Sequence, residues 1–334
     1  MRNKLRMLAG AAGVLILVAV AVFVICQSRK LGKETIQEVP GKEKVVLLTK
    51  STNSSFWQSV YDGADVAASE YNLELEFKGP DNEEDYMTQN RMIEEAVKEG
   101  ADVILLSAID YDANAEYVEW AAKKGVRIIS IDSEVNSDAV EGYVGTDSYE
   151  AGCMAARALL KDQPEDSLYI GIVNFDQNTR NGQKREEGFR DTIRESGAGS
   201  VIESIHVRSS TVEAKEQTVD MINRHPDLNA VVTFNEWTSL GVGYAIQELG
   251  KGETIRAVAF DSNIVSVGML ESGDVDALIV QNPYAMGYLA VERAYELLSG
   301  KKPKEAVTTT ESFAVTKENM YEEEYQRILF TFDK

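Results

Sequence analysis

From Lys44 onward the chain repeats one local pattern: a short β-branched run, a polar turn, then a stretch with apolar residues every three or four positions. Residues 45–48 (VVLL) have the continuous apolar character of a strand buried on both faces. After them Phe56, Val60, Ala64, Ala67 and Tyr71 follow at spacings of four, four, three and four, which predicts one apolar stripe on a helix. Further strands are predicted at 73–77, 103–106 and 126–131. Helices are predicted at 84–98 and 113–124, each stopped by a glycine, Gly100 and Gly125. The pattern then restarts, with strands at 168–173, 201–207, 230–234, 255–260 and 277–280 and helices around 187–195, 212–224, 239–249 and 264–270. Strands alternating with helices of this length imply parallel sheets covered on both faces. Two such series imply an α/β chain of two doubly wound, Rossmann-like lobes, and 334 residues suit two domains.

The first thirty residues follow another pattern. Arg2, Lys4 and Arg6 precede a run from Leu8 to Cys26 that carries no charge. At about 1.5 Å per residue, such a run is just long enough to cross a bilayer as a helix. The basic start places the N-terminus in the cytoplasm. A retained transmembrane anchor and a cleaved signal peptide both fit residues 1–30. No A-x-A site of small residues follows the apolar core, which favours the anchor, and Cys26 follows Ile25 rather than the small residue that lipidation wants. Residues 31–43 read as a polar linker, so the globular part is expected outside the cytoplasm, tethered to the cell membrane. A net charge of -21 repels a phosphate backbone, so nucleic acid is not an expected partner. Cys153 is the one cysteine beyond the apolar run, so no disulfide is expected within the globular part, and its apolar surroundings predict a packed thiol.

In doubly wound sheets, ligands bind beyond the carboxyl ends of the strands. The residues there are Lys50, Asn53, Phe56 and Trp57; Ser107 and Asp110; Asp132 and Ser133; Asn174 and Asp176; Asn235 and Glu236; Asp261 and Asn263; Gln281 and Asn282. Any one of them reads as a helix N-cap. One at nearly every strand end predicts a shared pocket. Asp accepts hydrogen bonds while Asn and Gln both donate and accept, so the set can saturate the hydroxyl rim of a cyclic sugar. Aromatic rings can cover its C–H face, and Phe56 with Trp57 suit that role. The other reading leaves Phe56 in the core and Trp57 alone facing the ligand. An enzyme would be read from Asp132 and Asp261 as an acid/base pair. However, no G-x-S-x-G or H-E-x-x-H occurs, and His206 and His225 have no metal-ligand company in sequence. The glycines of residues 243–252 read as helix then stop rather than a phosphate loop, and no cofactor is expected. A DNA-binding repressor would need a helix-turn-helix where this chain has its apolar run.

In order along the chain, TNSSFW (52–57), SIDSE (130–134), QKREEGF (183–189), TFNEW (233–237), AFDSN (259–263) and VQNP (280–283) resemble the motifs of type I periplasmic binding proteins of the ribose-binding class. That class shares its fold with the lactose-repressor effector domain. The resemblance runs from about Lys44 to Val315. It implies lobes of residues 44–145 with 282–310 and 146–281 with 311–334, joined by a three-crossing hinge near 145–146, 281–283 and 310–312. It implies that Asp132, Asn235, Asp261 and Gln281 bond sugar hydroxyls and that Phe56 and Trp57 stack. The family often has Arg directly after the first Asp, where Ser133 stands here. Its second sugar-binding Arg falls at Gln183, with Arg180 or Arg185 as a substitute. Lys50 stands where a small polar residue is common, and is expected to bond a hydroxyl or to pair with Glu236 across the cleft. The combination of KSTNSSFW, NEWTSLGVGYAI and IVQNPYAMGY looks most like membrane-anchored xylose-binding proteins that associate with sensor histidine kinases. The resemblance thus implies a binding protein, not an enzyme, that closes on a monosaccharide such as xylose and presents the closed form to an ABC sugar permease or a sensor histidine kinase. A receptor for a non-sugar small molecule or autoinducer is the alternative.

Overall fold

The computed structural model describes residues 41–161, 167–301 and 305–329. The run 8–26, and with it the expected anchor, lies outside the described residues; among these, no helix is long and apolar enough to cross a membrane. From Glu43 on, the chain forms one compact unit built on two six-stranded sheets.

The first sheet holds β1 (Lys44–Leu48), β2 (Glu74–Lys78), β3 (Val103–Leu106), β4 (Arg127–Ile131), β5 (Val140–Thr146) and β11 (Val307–Thr310), all parallel, in the order β11-β5-β4-β3-β1-β2. The second holds β6 (Leu168–Asn174), β7 (Gly199–His206), β8 (Ala230–Thr233), β9 (Arg256–Phe260), β10 (Ala277–Val280) and β12 (Phe313–Thr316), in the order β12-β10-β9-β8-β6-β7. The two orders correspond strand for strand, with β12 antiparallel to β10 as the one difference in direction. Helices α1 (Ser55–Glu70), α2 (Tyr86–Lys98), α3 (Ala115–Lys123) and α9 (Pro283–Leu298) belong to the first lobe. Helices α4 (Ser148–Leu160), α5 (Arg180–Ser196), α6 (Thr211–Arg224), α7 (Glu236–Leu249), α8 (Ile264–Ser272) and the short α10 (Glu323–Leu329) belong to the second.

Both faces of β1 are buried, and its packing partners alternate with the strand period of two. Val45 and Leu47 of β1 pack on one face with Val60, Ala64 and Ala67 of α1 and with Met286 and Ala290 of α9. Val46 and Leu48 pack on the other face with Ile93 and Ala96 of α2 and Val118 and Ala121 of α3. The expected apolar stripe of α1 is thus the face laid on the sheet, and Tyr71 beyond its end stacks on Tyr295, ring centroids 4.5 Å apart. Two helix pairs cross at backbone contact. A Cβ on Gly63 would lie 2.0 Å from the Tyr284 carbonyl oxygen, and one on Gly287 would lie 1.8 Å from that of Val60, so only glycine lets α1 and α9 meet this closely. In the second lobe, Gly152 of α4 and Gly188 of α5 stand 2.0 Å and 2.1 Å from the carbonyl oxygens of Arg185 and Tyr149 by the same measure. That contact fixes how α5 lies over its sheet, and α5 carries two residues of the site. Cys153 is buried beside it, its thiol donating to the Gly188 carbonyl at 3.4 Å.

The chain passes between the sheets after β5, after β10 and after β11. Thr146, which ends β5, donates its hydroxyl to Gln281 Oε1 at 2.9 Å and ties two of these crossings together. Strands β5, β11 and β12 and helix α10 were not expected from the sequence, and one expected helix starts early. Strand β5 (VEGYVGT) has its apolar pattern broken by Glu141, Gly142 and Gly145, and α5 begins seven residues before the expected Glu187 because its first turns, RNGQKRE, carry no apolar period.

Candidate functional site

The two sheets present their carboxyl ends to each other, and both lobes place an aspartate at the same point. Asp132 follows β4 and Asp261 follows β9, each in the left-handed region with φ of 60° and 67°. Each peptide N–H donates at 3.0 Å to the neighbouring strand, to Val144 and Ile279 respectively. Non-glycine residues rarely adopt this conformation, and Asp and Asn do so most readily.

Asp132 gathers donors from both lobes. Ser107 Oγ reaches Oδ2 at 3.0 Å, and Asn181 Nδ2 reaches both oxygens at 3.1 and 3.0 Å. Lys50 Nζ stands 3.3 Å from Oδ2 and donates to Asn181 Oδ1 at 3.1 Å, while Arg185 Nη2 stands 3.7 Å from Oδ1. Lys50 and Arg185 are 2% and 1% exposed, so these charges interact with little screening. Ser133, where an arginine was the expected pattern, is buried, and Lys50 brings a cation to Asp132 from β1 instead. The expected pair between Lys50 and Glu236 does not form: Lys50 is drawn to Asp132, and Glu236 accepts from Ser55 Oγ at 2.5 Å, from the Phe56 N–H at 3.4 Å and from Asn263 Nδ2 at 2.9 Å.

On the opposite wall, Gln281 links the crossing after β10 to Asp261. Its Nε2 donates to Asp261 Oδ1 at 2.6 Å, and its Oε1 accepts from Arg185 Nη2 at 2.8 Å. Arg185 also donates to the Phe234 carbonyl at 2.7 Å and lies over the Phe260 ring, 4.9 Å from its centroid, while its buried Nε has no hydrogen-bond partner among the described residues. Burial raises the Asp261 carboxyl to about 7; Arg185 and Gln281 oppose the rise, and the charges of Glu236 and Asp132 add to it.

The aromatic side is built by Phe56, Trp57, Phe175 and Trp237. Phe56 and Trp57 meet edge to face, centroids 4.9 Å apart at 87°. The reading that left Phe56 in the core and Trp57 alone facing the ligand is reversed: Trp57 is 2% exposed and packs in the core cluster, and Phe56 is half-buried against it. Both line the cavity. Glu83 accepts from the indole N–H of Trp57 at 2.9 Å and of Trp237 at 3.4 Å, so one carboxylate orients rings from both lobes.

Lys50, Phe56, Trp57, Asp132, Arg185, Asn235, Glu236, Asp261 and Gln281 therefore line one cavity of about 30 Å³, roughly two water-sized spheres. Gln183 does not. It is exposed on α5 and donates to the Gln177 carbonyl at 2.9 Å. Asn181 and Arg185, four residues apart, share the face turned to the cavity, and Gln183 falls on the other side. Sequence reasoning missed Asn181, Glu83, Phe175 and Trp237. Both histidines pair with glutamates outside the cavity, His206 with Glu186 at 3.5 Å and His225 with Glu203 at 2.7 Å.

A family described as "Periplasmic binding protein domain" matches residues 45–302. The D-ribose/D-allose-binding protein of Pseudomonas aeruginosa is 26% identical over 297 residues, 86% of this chain and 92% of its own. A carbohydrate transporter solute-binding protein from Agrobacterium radiobacter, solved in complex with D-arabinose, superposes with a TM-score of 0.83 at 27% identity, covering 87% of this chain and 99% of that one. A solved XylFII–LytSN complex superposes with a TM-score of 0.76 at 25% identity, covering 84% of this chain and 99% of its own.

Proposed function

This chain belongs to the periplasmic binding protein domain family, and we propose that it is an extracytoplasmic receptor that closes on a neutral monosaccharide, a pentose such as xylose, held between its lobes. The observation that carries this reading is the convergence of Asp132, Asn235, Asp261 and Gln281 from both sheets, with Phe56 and Trp57 beside them, on one buried cavity. Carboxylates that only accept hydrogen bonds suit a ligand rich in hydroxyl donors, and aromatic faces suit its C–H side. The buried wall carries the carboxylates Glu83, Asp132, Glu236 and Asp261 against two cations, Lys50 and Arg185, which disfavours an anionic ligand. D-ribose, D-allose and D-arabinose are the ligands named for two relatives.

Residues of both lobes wall the cavity, so a sugar held there is reached by the lobes parting and closing again. The lobes are taken as residues 44–145 with 282–310 and 146–281 with 311–334, turning about the three crossings. Contacts from both lobes make the closed state the better binder, and sugar shifts the population toward it. The closed face is then read by a membrane partner, an ABC sugar permease or a sensor histidine kinase, with the run 8–26 as the tether that keeps the receptor beside it. One relative is named for a carbohydrate transporter and another is solved in complex with a second protein, which supports both kinds of partner.

Thermal melts of the full chain in detergent with xylose, ribose, arabinose, glucose and galactose test the reading. A sugar at a hundred times its dissociation constant is expected to stabilise the fold by about 2.7 kcal/mol. The shift should vanish in Asp261→Ala. A panel in which no sugar moves the melt would overturn the sugar reading and point to a ligand of another class.

A further inference from the structure

Glu84 and Ser209 meet across the cleft. Glu84 follows β2 and Ser209 follows β7, the corresponding strands at one edge of the two sheets. The Ser209 N–H donates to Glu84 Oε1 at 2.6 Å, and Ser209 Oγ donates to the adjacent Glu83 at 3.2 Å. The crossings between lobes lie at the other edge, by β5 and β10. Four strand spacings separate β2 from β5 and β7 from β10, about 20 Å at roughly 4.8 Å each. A small rotation about the hinge therefore moves Glu84 and Ser209 further apart than any pair nearer the crossings. Glu83 lines the cavity, whereas Glu84 and Ser209 do not.

Resting on the closure mechanism proposed above, we infer that the Glu84–Ser209 contact is a ligand-blind clasp: it favours the closed arrangement whatever occupies the cavity, and so scales affinity for every ligand by one factor without selecting among them. The contact is a charge-assisted hydrogen bond from a backbone donor to the Glu84 carboxylate, stronger than a neutral one. Its loss lowers the fraction of closed chain, and apparent affinity falls in proportion to that fraction, equally for all ligands. A residue that touches the ligand changes the ratio of two affinities; a clasp leaves that ratio alone.

Two measurements on the full chain in detergent test this. Spin labels at Met87→Cys and Val212→Cys, exposed positions beside the two halves of the clasp, report the distance across the cleft in a chain also carrying C26A. Without added sugar, Glu84→Ala should lengthen and broaden the distance distribution, and Glu84→Gln, which keeps an acceptor oxygen, should fall between it and the parent chain. An unchanged distribution in Glu84→Ala would overturn the clasp. Dissociation constants for D-xylose and D-ribose should both rise about tenfold in Glu84→Ala, the size expected for one charge-assisted hydrogen bond, with their ratio unchanged. A changed ratio would make Glu84 a reader of the ligand and also overturn the inference. If neither sugar binds the parent chain, the sugar reading fails by itself, and the distance measurement still decides the clasp.

Discussion

Asp132 and Asp261 share a backbone position and differ in electrostatic company. Both follow the corresponding strand of their sheet with a left-handed φ, and both take the same strand-to-strand hydrogen bond. Asp132 stands within ion-pair distance of Lys50 and Arg185, at 3.3 and 3.7 Å. Asp261 forms no such pair among the described residues and takes its hydrogen bond from the neutral Gln281. Substitution should therefore act in opposite ways. Asparagine tolerates the left-handed region, so it tests charge and not backbone strain. Asp132→Asn leaves two buried cations facing a neutral group and should cost about 3–5 kcal/mol. Asp261→Asn should leave stability at pH 8 unchanged or raised. Urea midpoints of the two variants at pH 8 check this, and equal losses in both would contradict it.

The raised Asp261 carboxyl has a pH signature. Its value of about 7 in the folded chain exceeds the ordinary 3.8, so the folded chain binds the proton more tightly than the unfolded one across that window. The stability this group contributes is complete below about 4 and is lost as pH rises through about 7. Other groups titrate as well, so the test is a difference. Between pH 5 and pH 8 the parent chain should lose more stability than Asp261→Asn does, as read by urea unfolding at both values. Parallel losses would place the Asp261 carboxyl at an ordinary value.

The glycine crossings make a prediction independent of any ligand. Gly287→Ala puts a methyl 1.8 Å from the Val60 carbonyl oxygen, which is backbone and cannot rotate aside. The helices α1 and α9 must separate, at about 1–3 kcal/mol for an overpacked contact. Gly268→Ala on α8 has open space around its Cβ and serves as the control, with a neutral or slightly favourable effect expected. Chemical denaturation midpoints of the two variants should differ in that order.

Much of the architecture was legible because buried parallel strands are continuous apolar runs and their covering helices are amphipathic. Val45–Leu48 and the α1 stripe show both signals. The polar residues after those runs also pointed to the cavity, since a doubly wound sheet leaves its strand ends as the place where loops from different strands meet. What escaped has a physical cause in each case. Glu83 follows β2, an edge strand whose ELEFK pattern is half-buried and marks no site. Asn181 was missed because the first turns of α5 are polar throughout; once the helix is begun at Arg180, Asn181 and Arg185 fall on one face and Gln183 on the other. The signal was the four-residue spacing, hidden by the misplaced start. Lys50 is expected from the sequence either to bond a hydroxyl or to pair with Glu236, and no sequence pattern tells which of two buried carboxylates a lysine will reach.

Phe56 and Trp57 are adjacent in sequence and unequal in structure, which decides how the aromatic wall can be tested. Trp57 is packed among Leu47, Val60 and Met286 and donates its indole N–H to Glu83. Trp57→Ala empties a core site and should cost about 3–5 kcal/mol, so a loss of sugar response in that variant would report instability as readily as a lost contact. Phe56 is half-buried at the cavity edge. Phe56→Ala removes a ring that is still partly in solvent and should cost less than half as much, while exposing the C–H face of a bound sugar to water. The expected result is a melting temperature near that of the parent chain and a dissociation constant for the responsive sugar raised by about tenfold or more, on the order of the 1.4 kcal/mol that a tenfold change represents. Phe56→Leu keeps apolar volume without a flat face and should recover stability but only part of the affinity. Full recovery by leucine would make the role of Phe56 one of filling space, and stacking would no longer be needed to account for the pair of rings at the end of β1.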